Sequence, residues 1–145
     1  MEKKRILIVD DDKSLLRTLV HILTNEGYQV DTAETGKEAI EKSKTQFYHL
    51  ALLDIKLPDM DGTELLHKIN GHIPKTVKIM LTGYPSTETA VKALNLEADA
   101  YITKPVEPKQ LLETIHKELD KQEETEKLTE EKLVEWIKTR AERIQ

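Results

Sequence analysis

Apolar residues fall along this chain in two rhythms. Short runs without polar alternation, Arg5–Val9 and Leu50–Leu53 foremost, read as strands buried on both faces. Each of these runs empties onto acid, the first into Asp10, Asp11 and Asp12, the second into Asp54. Between such runs the apolar positions recur at helical spacing, as Leu15, Leu16, Leu19, Val20 and Leu23 do. Strand-like runs alternating with helix-periodic segments predict an α/β domain, a parallel sheet covered on both faces.

In order, the pattern predicts a first strand over about Arg5 to Asp10 and a helix that Gly27 stops, with Asp12 as its cap. Tyr28 to Ala33 is a second strand, and Thr35 with Glu38 has the capping-box spacing that opens a second helix. His49 to Asp54 is the third strand, followed by a loop containing Pro58. Asp61 and Glu64 start a third helix through Leu65, Leu66 and Ile69, which Gly71 and Pro74 close. Val77–Thr82 is the fourth strand; Gly83 and Pro85 turn the chain, and Ser86 caps a fourth helix to about Leu96. A short fifth strand, Ala100 to Thr103, ends in Lys104-Pro105, and a fifth helix begins near Pro108.

Beyond Pro108 there is neither glycine nor proline, yet no apolar residue appears between Leu119 and Leu128. Charges of mixed sign in that gap fit a solvated helix better than disorder. The chain is therefore divided into a domain over residues 1–120 and a charged helical tail or linker over 121–145. Val134, Ile137, Ala141 and Ile144 form a narrow stripe near the end, which the polar gap separates from the core face of Leu112, Ile115 and Leu119. Such a stripe is expected to dock, with a second copy of the chain favoured. Trp136 reads as helix packing.

Composition narrows the field. A length of 145 residues suits one core-forming domain, and a net charge of −5 with no basic stripe clear of acids argues against direct nucleic-acid binding. The absence of cysteine excludes disulfides and thiolate metal sites. No apolar run approaches the ~18 residues that span a bilayer, and a strand follows Met1-Glu2-Lys3-Lys4 at once, so no signal peptide or membrane partner is expected. The expected location is cytoplasmic.

The residues gathered at predicted strand ends are Asp10, Asp11, Asp54, Thr82 and Lys104. Open α/β sheets bind ligands beyond the carboxyl ends of their strands. Two carboxylates ~4 Å apart repel by roughly 4 kcal/mol at an effective dielectric near 20, and a hard divalent cation such as Mg²⁺ relieves this. A carboxylate also serves as a nucleophile that forms an aspartyl phosphate. Transfer of a phosphoryl group requires three equatorial oxygens to be neutralised, which Mg²⁺, Lys104 and Thr82 are suited to do. His21, His49, His67, His72 and His116 show no ligand spacing and read as structural or exposed.

The segments Ile6–Asp11, Leu53-Asp54 with Pro58, Asp61 and Gly62, Leu81-Thr82-Gly83, and Tyr101–Pro105, in that order, resemble the receiver domain of two-component response regulators. The resemblance runs from about Lys3 to Asp120. It implies a doubly wound, flavodoxin-like five-stranded sheet of order 2-1-3-4-5. It implies Asp54 as phosphoacceptor, with Asp10, Asp11, Asp54 and the backbone carbonyl of Lys56 holding Mg²⁺. Lys104 would contact the phosphoryl group, the Lys104–Pro105 peptide would be cis, and Thr82 and Tyr101 would form a switch pair. The implied function is a signalling switch that changes partner binding and catalyses only its own phosphorylation and dephosphorylation. The implied partners are a sensor histidine kinase or a histidine phosphotransfer protein. Pairing of two copies through the fourth and fifth predicted helices and the tail is a further expectation. Lys56 and Tyr84 would flank the phosphoryl group and slow its hydrolysis. Glu97 departs from the family pattern, which favours glycine there, and leaves the end of the fourth helix less defined.

The alternative is a phosphohydrolase of the haloacid-dehalogenase type, since Asp10-Asp11-Asp12-Lys13-Ser14 formally fits its first motif, with Asp10 as nucleophile. Against it, no further acidic motif follows Lys104 at a strand end, and Asp54 would have no role.

Overall fold

The computed structural model describes residues 3–69, 75–83 and 98–144. Its elements in chain order are β1 (Arg5–Val9), α1 (Lys13–Asn25), β2 (Gln29–Ala33), α2 (Gly36–Thr45), β3 (Leu50–Asp54), α3 (Gly62–Lys68), β4 (Val77–Thr82), β5 (Ala100–Thr103) and α4 (Pro108–Ile144). The fifth helix of the sequence reading is thus α4. The fourth, from Ser86, lies outside the described residues, as do Gly71, His72, Pro74, Tyr84, Pro85 and Glu97.

All five strands are parallel, in the order β2-β1-β3-β4-β5, so the sheet has the doubly wound order the sequence resemblance implied. The unalternated strands explain the two-sided core. Ile6, Ile8, Leu50, Leu52, Ile79 and Leu81 face one side, where Leu19 and Leu23 of α1 and Leu111 and Ile115 of α4 cover them. Their neighbours Leu7, Val9, Ala51, Leu53 and Met80 face the other side, against Ala39 of α2 and Leu65 and Leu66 of α3. Each leucine, isoleucine, valine or methionine among them, fully buried, stabilises the fold by about 1.5–3 kcal/mol relative to exposure. The sheet is therefore fixed from both faces, and the strand ends are held rigidly.

The caps expected within the described residues are present. Asp12 accepts from the backbone N–H groups of Ser14 and Leu15, Thr35 from Glu38 and Asp61 from Thr63. Gly27 closes α1 with φ +97°, a left-handed geometry that glycine adopts without strain.

The tail differs from the sequence expectation in one respect. α4 runs unbroken through the apolar gap to Ile144, and its body-facing side does not stop at Leu119. Gln122 is buried and donates through Nε2 to the backbone carbonyls of His49 (2.9 Å) and Lys75 (2.8 Å). A polar residue continues the core face here because it meets backbone carbonyls at the strand ends, to which its carboxamide donates. Farther on, Leu128, Leu133, Val134, Trp136 and Ile137 are all exposed. Trp136 is therefore not packed into a core, and the Arg140 guanidinium lies over its ring at 4.8 Å from the centroid.

Candidate functional site

Strand register places the chemistry. Leu53 pairs with Val9 across β1 and β3, so Asp10 and Asp54 emerge side by side at the carboxyl edge of the sheet. The Asp10 backbone N–H is held by the Ala33 carbonyl at 3.0 Å. Its carboxylate is completely buried: Oδ1 accepts from the Asp12 N–H (2.9 Å) and Oδ2 from Lys104 Nζ (2.7 Å). Asp54 is 7% exposed, its Oδ1 lying 3.4 Å from the Lys56 N–H and 3.6 Å from Lys104 Nζ. Asp11 is exposed at the rim of the same cluster. Asp10, Asp11 and Asp54 each offer a carboxylate oxygen within 4.8 Å of the others.

The electrostatics follow from this crowding. Burial, then the charge of Asp10, pushes the Asp54 carboxyl above the usual carboxylate range, while Lys104 and the Lys56 N–H pull it partly back. Burial pulls the Lys104 ammonium down, but its hydrogen bond and charge contact with Asp10, and then Asp54, outweigh that, so its net shift is upward. The Lys104 ammonium thus contacts two of the three carboxylates, Asp10 and Asp54, and Asp54 remains costly to ionise. A donor set of three oxygen anions left short of positive charge fits a hard divalent cation bound by oxygen.

Lys104 reaches the cluster because β5 ends beside β4. Its backbone N–H donates to the Thr82 carbonyl at 2.7 Å, and the Lys104–Pro105 peptide is cis. Thr82 is buried at the end of β4, and Tyr101 pairs with Met80 one strand away. The Tyr101 hydroxyl is buried and makes no hydrogen bond among the described residues. The Lys56 side chain is exposed, and its backbone forms an isolated bridge with Asp61.

Two further residues shape the site in ways their types did not announce. A β-carbon on Gly62 would collide with the Asp54 carbonyl oxygen, and the Gly62 N–H donates to the Ile55 carbonyl at 2.6 Å. Glycine lets the start of α3 close directly over the phosphoacceptor candidate. Asp59 caps α2 from a distance, accepting from the Gly36 and Lys37 N–H groups at 2.9 Å each. It thereby anchors the loop that follows Asp54. Only its neighbourhood to Pro58 hinted at a built loop.

An acid cluster contacted by Lys104, at the carboxyl edge of a doubly wound parallel sheet, is the arrangement that the receiver resemblance implied. The model of the response regulator receiver domain family matches residues 6–116. The cell cycle response regulator CtrA of Brucella ovis is 35% identical over 112 residues, 77% of this chain and 48% of that protein. The chain spans about half the length of the curated relatives it matches. A CheY-like receiver domain protein from Methanospirillum hungatei is 53% identical, with a TM-score of 0.81, covering 86% of this chain and 99% of that one. A Burkholderia pseudomallei response regulator, solved with a phosphorylated aspartic acid, calcium ion and citrate, is 28% identical, with a TM-score of 0.74 and coverage of 87% and 74%. A beryllofluoride-activated NtrC4 receiver domain dimer is 38% identical, with a TM-score of 0.76 and coverage of 81% and 98%. The chain belongs to the response regulator receiver domain family.

The receiver reading of the sequence therefore holds, and the phosphohydrolase alternative falls. Its nucleophile would be Asp10, whose two carboxylate oxygens are already engaged by Asp12 and Lys104. Asp12, the second acid of that motif, is turned to the α1 N-terminus instead. Among the described residues no helix is long and apolar enough to cross a membrane.

Proposed function

We propose that Asp54 is the phosphoacceptor of a two-component switch, charged by a sensor histidine kinase or a histidine phosphotransfer protein. An Asp54 carboxylate oxygen attacks the phosphorus of the donor phosphohistidine, the P–N bond breaks, and the imidazole leaves with the electron pair. The observation that carries this reading is the convergence of Asp10, Asp11 and Asp54 within 4.8 Å at one strand edge, with Lys104 among them. Mg²⁺ is the ion we assign to Asp10, Asp11, Asp54 and the Lys56 carbonyl; when bound it supplies the positive charge that the transferring phosphoryl oxygens require. Lys104 steadies one further oxygen of that group.

In the same reading Thr82 and Tyr101 carry the signal. Thr82 stands at the end of β4 beside Lys104, so its hydroxyl is placed to follow the arriving phosphoryl group. The buried Tyr101 hydroxyl, without a hydrogen bond among the described residues, gives the ring a polar atom that gains by moving. Residues 1–120 form the switching body, and 121–145 a helical tail that carries its state outward. The chain acts in the cytoplasm, where such donors present their phosphohistidine.

The test is phosphorylation by acetyl phosphate with and without Mg²⁺, read by intact mass spectrometry. One added phosphoryl group is expected only with Mg²⁺, and none on Asp54→Asn. Equal labelling of that variant, or modification at Asp10, would overturn the assignment.

A further inference from the structure

The tail of α4 has a property that the phosphoacceptor site does not use: its charge is polarised along its length. Residues 120–131 carry six acidic and two basic side chains, and residues 132–143 carry four basic and two acidic ones. Beyond Gln122, whose carboxamide makes the last hydrogen bond to the body among the described residues, the helix extends about 33 Å to Ile144 at 1.5 Å per residue. Along its body-facing side, Gln122, Thr129 and Leu133 overhang a crevice of about 860 Å³ beside Lys75 and Val77 at the amino-terminal edge of the sheet. Glu118, Glu126, Glu130 and Asp99 line that crevice against Lys75 and Lys121, so the charges along it are acidic in excess.

We infer that the tail pairs with the tail of a second copy in antiparallel orientation, with the twofold axis near Leu133. Antiparallel overlap sets the acidic half of each helix against the basic half of the other, whereas parallel overlap would set acid on acid. With Leu133 on the axis, Thr129 faces Ile137 and Glu126 faces Arg140, at the helical spacings that keep all of them on one side. The exposed side chains of Leu133, Trp136 and Ile137 supply the apolar seam, which alone is too short to hold a helix in place. The same overlap carries the basic end of each helix, with Arg140, into the crevice under the other copy's helix. The arrangement is isologous and closes on itself, as twofold interfaces do. It needs no phosphoryl group and is independent of the Asp54 assignment.

The test uses the full unphosphorylated chain. Sedimentation equilibrium is expected to show a dimer, which Glu126→Arg or Arg140→Glu alone shifts at least tenfold toward monomer. The combined Glu126→Arg, Arg140→Glu chain is expected to restore it. Orientation is read in the cysteine-free background: brief oxidation of a mixture of Thr129→Cys and Ile137→Cys chains should give the mixed disulfide, and Thr129→Cys alone should give little. A monomer at all concentrations, a dimer indifferent to both single reversals, or efficient self-linkage of Thr129→Cys would overturn the proposal. Circular dichroism of each variant confirms that the helix is retained.

Discussion

Lys104 and Asp10, 94 positions apart in the chain, are joined by a 2.7 Å hydrogen bond between Nζ and a carboxylate that is wholly buried. That ammonium and the Asp12 N–H are the donors that the buried Asp10 side chain meets. The pair fixes the floor of the site, and Asp54 stands over it at 3.6 Å from the same nitrogen.

Removing the ammonium should therefore leave a buried, under-compensated cluster. Lys104→Met is expected to lower unfolding stability by on the order of 1–3 kcal/mol in chelator at pH 7. Millimolar Mg²⁺ should recover a large part of the loss, because it supplies the missing charge. Urea denaturation with and without Mg²⁺ measures both, and a variant as stable as the parent in chelator would contradict the role of Lys104 as compensating charge.

Gly62 is held to its identity by contact and not by a turn. Gly62→Ala drives a β-carbon against the Asp54 carbonyl oxygen, and overpacking of this kind costs about 1–3 kcal/mol. Thermal unfolding should show the loss. Phosphorylation by acetyl phosphate should slow as well, since the strand end that carries Asp54 must shift. Unchanged stability and rate would mean that the α3 start accommodates the methyl group freely.

Asp59 offers a pH signature away from the acid cluster. Its carboxyl is held below the ordinary value of 3.8, first by the Gly36 N–H and then by that of Lys37. A depressed folded-state pKa stabilises the fold at pH above the unfolded value, and the contribution is lost as pH falls through the folded one. Asp59→Ala should thus have a lower Tm than the parent at pH 7, and the two curves should converge below about pH 4. A Tm gap that persists unchanged at pH 3 would assign Asp59 a role other than the charged cap.

Gln122 is expected to behave as a core residue despite its polarity. Gln122→Ala takes one donor from the His49 carbonyl, which keeps the Val77 N–H at 2.9 Å, and removes the Nε2 donor from that of Lys75. Leaving buried acceptors unsatisfied costs about 1–3 kcal/mol. The exposed neighbour Glu123→Ala should stay within about 0.5 kcal/mol of the parent. Equal effects at the two positions would show that the tie is replaced by water at no cost.

What the sequence determined by itself was whatever depends on local period and local chemistry. Unalternated runs such as Ile6–Val9 and Leu50–Leu53 require burial on both faces, and the acids that end them, Asp10 and Asp54, must then surface at one edge. Caps at Asp12, Thr35 and Asp61 and the stop at Gly27 are contained within a few residues, so they too could be read directly. The set that includes Thr82 and Lys104 was legible because each follows a strand. The distances among them were not, because only strand order and register decide that Lys104 meets Asp10 before Asp54. The need for glycine at position 62 arises from a carbonyl on another element. The remote cap of Asp59 on α2 and the tie from Gln122 to two strand ends likewise join groups that no local spacing relates. A polar residue in an apolar gap reads as solvent-facing until the fold brings backbone carbonyls against it, and the packing of α4 across the strand ends does this at Gln122.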